Sequence, residues 1–136
     1  KTKLALCFID IDRLKFVNDM YGHQEGDWYI KNVARTINAT MGEQYKGIRY
    51  GGDEIIIITE NPSLTEFEQK IQEIGQTLHR IGHDHFKPYK MSISHGFAVY
   101  PNAVARYATD LIEEADMNMY EHKKAKKAAR PTEGTC

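Results

Sequence analysis

Four consecutive isoleucines, Ile55 to Ile58, constrain this chain more than any other feature. An unbroken β-branched run of that length predicts a strand with apolar contacts on both faces. It needs a covering layer on each side and sits inside a sheet. Immediately before it stands "RYGGDE" (49–54), which places two glycines and two acids at the mouth of the strand. Bare carboxylates are costly to bury, so Asp53 and Glu54 must be solvated at a turn or paired with a cation. The 136 residues suit one domain with one core, and 41% apolar with 27% charged residues is an ordinary globular balance. A net charge of −1 gives no global field toward nucleic acid or an acidic membrane. No apolar run approaches the ~20 residues that span a bilayer. Cys7 and Cys136 have neither disulfide-scaffold nor zinc spacing, and Cys7 lies in an apolar run as a small buried residue. Such cysteine usage fits a reducing cytosol.

Periodicity orders the rest. "LALCFI" (4–9) predicts a buried strand ending at Asp10, and residues 11–23 a short helix stopping near Gly22. Asp27 is a candidate cap for a second helix with Ile30, Val33, Ala34, Ile37 and Met41 on one face, ending at Gly42. "QYKGIRY" and "EIIIIT" flank "GGD" as a hairpin whose tight turn uses the glycines. Ser63 is placed to cap a helix whose stripe is Phe67, Ile71, Ile74, Leu78 and Ile81. Residues 91–100 form a strand stopped by Pro101, and a last helix runs from about Tyr107 to Ala128 with Leu111, Ile112, Ala115 and Met119 inward. The order predicts an α/β (α+β) domain: a mixed, mainly antiparallel central sheet flanked by helices. With the first strand beside the hairpin, Asp10 approaches Asp53.

Asp10, Asp12, Asp53 and Glu54 are the chemical centre. All-oxygen donors of this kind suit Mg²⁺ (or Mn²⁺) with positions left for phosphate oxygens. The alternative makes Asp10 and Asp12 an N-cap and a first-turn acid. A second acidic pair beside two glycines favours the metal. "HRIGHDH" (79–85) offers three histidines without a recognisable metal pattern. For Lys124, Lys126 and Arg130 in "KKAKKAAR", the reading is a solvated helix end with cations near the negative pole of the dipole.

Four ordered segments carry a resemblance. "DIDRLKFVNDMYGHQEGD" resembles D-x-D-x-F-K-x-x-N-D-x-x-G-H-x-x-G-D, and "RYGGDEI" resembles the signature turn of the GGDEF domain, the catalytic domain of diguanylate cyclases. "SISHGFAVYP" resembles the strand that follows, and "EEADMNMYEHKKAKK" the helix A-D-x-A-L-Y-x-A-K-x-x-G-R. The resemblance implies a fold similar to nucleotidyl cyclase cores and polymerase palms. It implies condensation of two GTP into cyclic di-GMP, with release of two pyrophosphates, between two facing copies. Asp10, Asp53 and the carbonyl of Ile11 would hold the metal, with Glu54 as further ligand or as help in activating the 3′-hydroxyl. Asn18 and Asp27 would read guanine, Gly51 and Gly52 would let the backbone approach the nucleotide, and Lys15, Lys123 and Lys127 would hold phosphates.

The departures are Ile55 for Phe, His95 for a small or apolar residue, and Lys127 where the family often has Arg. "GEQY" (42–45) stands where relatives carry the R-x-x-D inhibitory site, which implies no inhibitory site here. The family's D-x-L-T-G-L-x-N-R-like segment is missing, so residues 1–130 read as the domain of a larger signalling protein with a sensor or dimerisation module. Residues 131–136 read as a tail. The expected location is cytoplasmic, in a parent open to membrane anchoring, with no nucleic acid or membrane contact by this domain. The competing readings are a GTP-binding regulatory module without turnover and a plain interaction domain.

Overall fold

The computed structural model describes residues 3–102 and 107–129; Arg130, the tail expected over 131–136 and Cys136 lie outside them. The elements run β1 (Leu4–Ile11), α1 (Leu14–Tyr21), α2 (His23–Thr40), β2 (Tyr45–Arg49), β3 (Glu54–Glu60), α3 (Leu64–Asp84), β4 (Ile93–Tyr100) and α4 (Ala108–Ala129). Among the described residues the sheet has the order β2-β3-β1-β4 and is antiparallel throughout. The hairpin does lie against the first strand, through β3.

Alternation along the central strand sorts two cores. Ala5, Cys7, Ile9 and Ile11 join Val17, Tyr29, Val33, Phe67, Ile71 and Leu78 in the layer made with α1, α2 and α3. Leu6 and Phe8 join Ile56, Ala98, Leu111, Ala115 and Met119 under α4. Ile57 belongs to the first core and Ile56 to the second, so the isoleucine run serves both faces as its composition demands. Ile55 and Ile58 at its ends are half-buried. α4 is seated by Gly96. A Cβ there would stand 2.1 Å from the Met119 nitrogen and 2.4 Å from the Ala115 oxygen, both backbone atoms that cannot swing away.

Several boundaries differ from the sequence expectation. β1 continues through Asp10 and Ile11 because Glu54, Ser94 and Ile93 extend its ladders. α1 therefore begins only at Leu14, after Arg13 in the left-handed region at φ 60, with no side-chain cap. This removes Asp10 and Asp12 as capping residues. α2 begins at His23, not near Asp27, because Gly22 at φ 95 closes α1 and opens α2 at once. Asp27 lies inside α2. On that helix Tyr29 and Thr36 are buried while Ala34 is exposed. β4 starts at Ile93, two residues later than expected. The Ser63 cap is as expected, its side chain accepting from the Glu66 N–H. No helix among the described residues is long and apolar enough to cross a membrane.

Candidate active site

The site lies where the end of β1 meets the β2–β3 turn and α4. Asp10 pairs across the sheet with Glu54 on one side and Ser94 on the other. The Ile11 N–H donates to the Asp53 carbonyl at 2.8 Å, which fixes the turn to the strand end. The side chains of Asp10 and Asp53 are close enough to act on each other. Burial pushes the Asp10 carboxyl up to about 6, and the Asp53 charge adds to this against the Lys123 ammonium. One Asp10 oxygen, Oδ2, accepts from Lys123 Nζ at 2.5 Å, while the other, Oδ1, is buried with no hydrogen-bond donor among the described residues. A buried acceptor without a donor, crowded by a second carboxylate, fits a hard cation with oxygen ligands. Among the described residues, no three acid, histidine or cysteine side chains converge as a metal site. The candidate set is therefore two carboxylates and main chain.

Glu54 faces the same region. Its carboxyl is raised by burial first, then by the charges of Asp53 and Asp116. It folds against the turn: a Cβ on Gly51 would meet Glu54 Oε1 at 2.7 Å, while one on Gly52 would meet nothing. Neither glycine has a positive φ, so the turn does not need glycine for its backbone dihedrals, contrary to the tight-turn expectation. The loop is held by Arg49 instead, whose Nε and a terminal nitrogen donate to the carbonyls of Gly51 (3.2 Å) and Gly52 (2.8 Å).

Asp12, two residues beyond Asp10, has a different environment. Its carboxylate accepts from Ser92 Oγ at 2.5 Å, Ser94 Oγ at 2.7 Å and Lys126 Nζ. Lys126 also donates to the Ile93 carbonyl at 2.8 Å. Burial would raise the Asp12 carboxyl, but Lys126 and the two serines outweigh it and hold it below the usual carboxylate range. This corrects the sequence reading of Lys126 as a solvated cation: the rotation of α4 turns it inward. Lys124 and Lys127 remain exposed. His122 seals the free edge of β4, its Nδ1 accepting from the His95 N–H at 3.0 Å, with the two rings 4.6 Å apart. Burial, then the neighbouring His122 and Lys126 charges, depress His95 to about 4, so its imidazole is neutral at pH 7.

The residues expected to read a base lie at the α1–α2 corner. Asn18 rests against Gly26, where a Cβ would stand 1.7 Å from Asn18 Oδ1. Asp27 follows directly and is exposed. Lys15 is exposed on α1 and pairs with Asp19 at 3.3 Å, not with any site carboxylate. Of the expected residues, Asp10, Asp53, Glu54 and Lys123 come together, joined by Ile11, Gly51 and Gly52. Asn18 neighbours Asp27 across Gly26. Lys15 and Lys127 stand on exposed helix faces. Sequence reasoning missed Arg49, Ser92, Ser94, Gly96 and Gly26. The two glycines were visible in "SISHG" and "HQEGD", but only the packing shows what they admit.

Comparison with known proteins gives the family and the fold. Residues 1–129 match the family model "Diguanylate cyclase, GGDEF domain". The chain is 34% identical over 115 residues to cyclic di-GMP phosphodiesterase PdeB of Shewanella oneidensis, covering 84% of this chain and 13% of that protein. It is 33% identical over 125 residues to diguanylate cyclase A of Treponema denticola, covering 90% of this chain and 33% of that protein. It therefore spans a third or less of these two relatives. Its fold is similar to the crystal structure of the GGDEF domain of DgcB from Caulobacter crescentus in complex with c-di-GMP, with a TM-score of 0.79 and 26% identity over 91% of this chain and 74% of that one. The chain belongs to the GGDEF domain family of diguanylate cyclases.

Proposed function

We propose that this domain binds GTP and, facing a second copy, condenses two GTP molecules into cyclic di-GMP. Each 3′-hydroxyl attacks the other nucleotide's α-phosphate, and each attack releases one pyrophosphate. The observation that carries this reading is the unpartnered, buried Asp10 Oδ1 beside Asp53. Asp10, Asp53 and the Ile11 carbonyl would hold Mg²⁺ or Mn²⁺. Such an ion neutralises phosphate charge and favours the ionised hydroxyl. Lys123, already at Asp10, would offer its ammonium to the triphosphate. Burial works against the charge on Lys123, yet Asp10 outweighs this and keeps its pKa above the ordinary lysine value. Glu54, with its raised carboxyl, is suited to accept a proton from the hydroxyl. Gly52 leaves room for a substrate, since among the described residues nothing stands within 4 Å of where its Cβ would be. Asp27 would accept from the guanine N1 and N2 donors, and the Asn18 amide would donate to a guanine acceptor, O6 or N3. Lys15 and Lys127 would meet the outer phosphates from their exposed positions.

The test is incubation of concentrated protein with GTP and Mg²⁺, followed by nucleotide separation, with calorimetric GTP binding beside it. The expected outcome is cyclic di-GMP that vanishes in Asp53→Ala while the variant keeps its helical circular dichroism. An equally active variant would remove Asp53 from the site. Asp27→Ala is expected to lose discrimination of GTP from ATP by roughly 10-fold, because the base donors N1 and N2 would lose their acceptor at a cost of about 1 kcal/mol or more. Unchanged selectivity would argue against a guanine contact there. A second reading, GTP binding without turnover, is favoured by the match to a protein named as a phosphodiesterase. Binding without product in both this domain and the longer parent would select it.

A further inference from the structure

The α1–α2 corner has no side-chain cap on either helix start, so its shape must be set from outside. The segment between α3 and β4 does this. Lys87 Nζ pairs with Glu25 Oε2 at 2.6 Å and lies 4.0 Å from the centre of the Trp28 ring. The Tyr89 hydroxyl donates to the same Glu25 oxygen at 2.6 Å. The Tyr89 ring packs on Tyr21 at the end of α1 (5.7 Å) and on Tyr29 in α2 (5.5 Å). One segment thus grips both helices on either side of Gly22. The ion pair is largely shielded, with side-chain exposures of 19% and 25%. Glu25 adjoins Gly26, which Asn18 rests on, and stands two residues before Asp27.

We propose that Lys87 and Tyr89 are positioning residues: through Glu25 they set the placement of Asn18 and Asp27, and so the domain's affinity for its nucleotide base, without entering the chemistry. The statement about the base rests on the guanine-reading role given to Asn18 and Asp27 above. The grip itself is independent of it.

Two readouts keep the ideas apart. Lys87→Met keeps the stem over Trp28 and removes the charge; Tyr89→Phe keeps the ring and removes the donor. Amide hydrogen exchange, without nucleotide, is expected to speed up several-fold over residues 18–28 in each variant, with α3 and α4 unchanged. No change at the corner, or an equal rise everywhere, overturns the grip. Calorimetry and kinetics with GTP form the second readout. Each variant is expected to weaken GTP binding roughly fivefold and to raise KM alike at unchanged kcat, with Lys87→Arg restoring most of the loss. Wild-type protein that binds no GTP defeats the guanine reading and leaves the exchange data to decide the grip. Wild-type protein that binds GTP, with variants of equal affinity, defeats the positioning role.

Discussion

Asp10 and Asp12 are two residues apart, both buried, and each meets a lysine from the same helix, yet they are in opposite states. Asp12 is closed: two serine hydroxyls and Lys126 fill its acceptors, and its carboxyl lies below the usual range. Asp10 is open: Lys123 holds one oxygen, the other has no donor, and burial with the Asp53 charge pushes its carboxyl up to about 6. The same residue type at almost the same depth is structural where its hydrogen bonds are complete and chemical where they are not. The D-x-D spacing alone does not distinguish them. The neighbours on β4 and α4 do.

The strongest way to break the comparison is to move the helix that supplies both lysines. Gly96→Ala would drive a Cβ into the α4 backbone. It is expected to lower stability by about 3 kcal/mol or more, measured by urea denaturation, and to release Lys123 and Lys126 together. A variant of wild-type stability would mean that α4 yields easily. Lys126→Met acts on the closed pair alone. It leaves Asp12 with its serines but without its cation, an expected loss of about 2 kcal/mol. A neutral result would place Asp12 in contact with solvent.

Asp10→Asn is the smallest change and has the opposite sign. The folded-state pKa of Asp10, about 6, exceeds its ordinary value of 3.8. Its contribution favours the fold below about pH 4 and is lost as pH rises through 6. Asp12 has a lowered pKa, so its contribution is present above the ordinary value and is lost as pH falls. Without divalent cation, Asp10→Asn is therefore expected to gain about 1 kcal/mol or more at pH 7, the Lys123 pair being already part of the Asp10 pKa, and nothing near pH 4. It is also expected to lose any stabilisation by Mg²⁺. A less stable variant at pH 7 would show that Lys123 outweighs burial and the Asp53 charge.

Much of this arrangement is legible in the sequence because it is local. The isoleucine run, the alternation of residues 4–9, the Phe67–Ile81 stripe and the Ser63 cap follow from side-chain periodicity and from backbone donors that need partners. The approach of Asp10 to Asp53 follows once the hairpin is set beside the first strand. What the tertiary structure alone decided depends on how distant elements are rotated and registered. α1 starts late because β3 and β4 prolong β1. Asp27 lies within a helix because one glycine serves two helix ends. Lys126 turns inward and Lys127 outward because Gly96 sets the depth and phase of α4, and adjacent residues on a helix differ by about 100°. Glu25 meets Lys87 and Tyr89 only when α3 has carried the chain back to the α1–α2 corner. A sequence states which groups need partners; long-range packing chooses the partner, and here it left Asp10 Oδ1 without one.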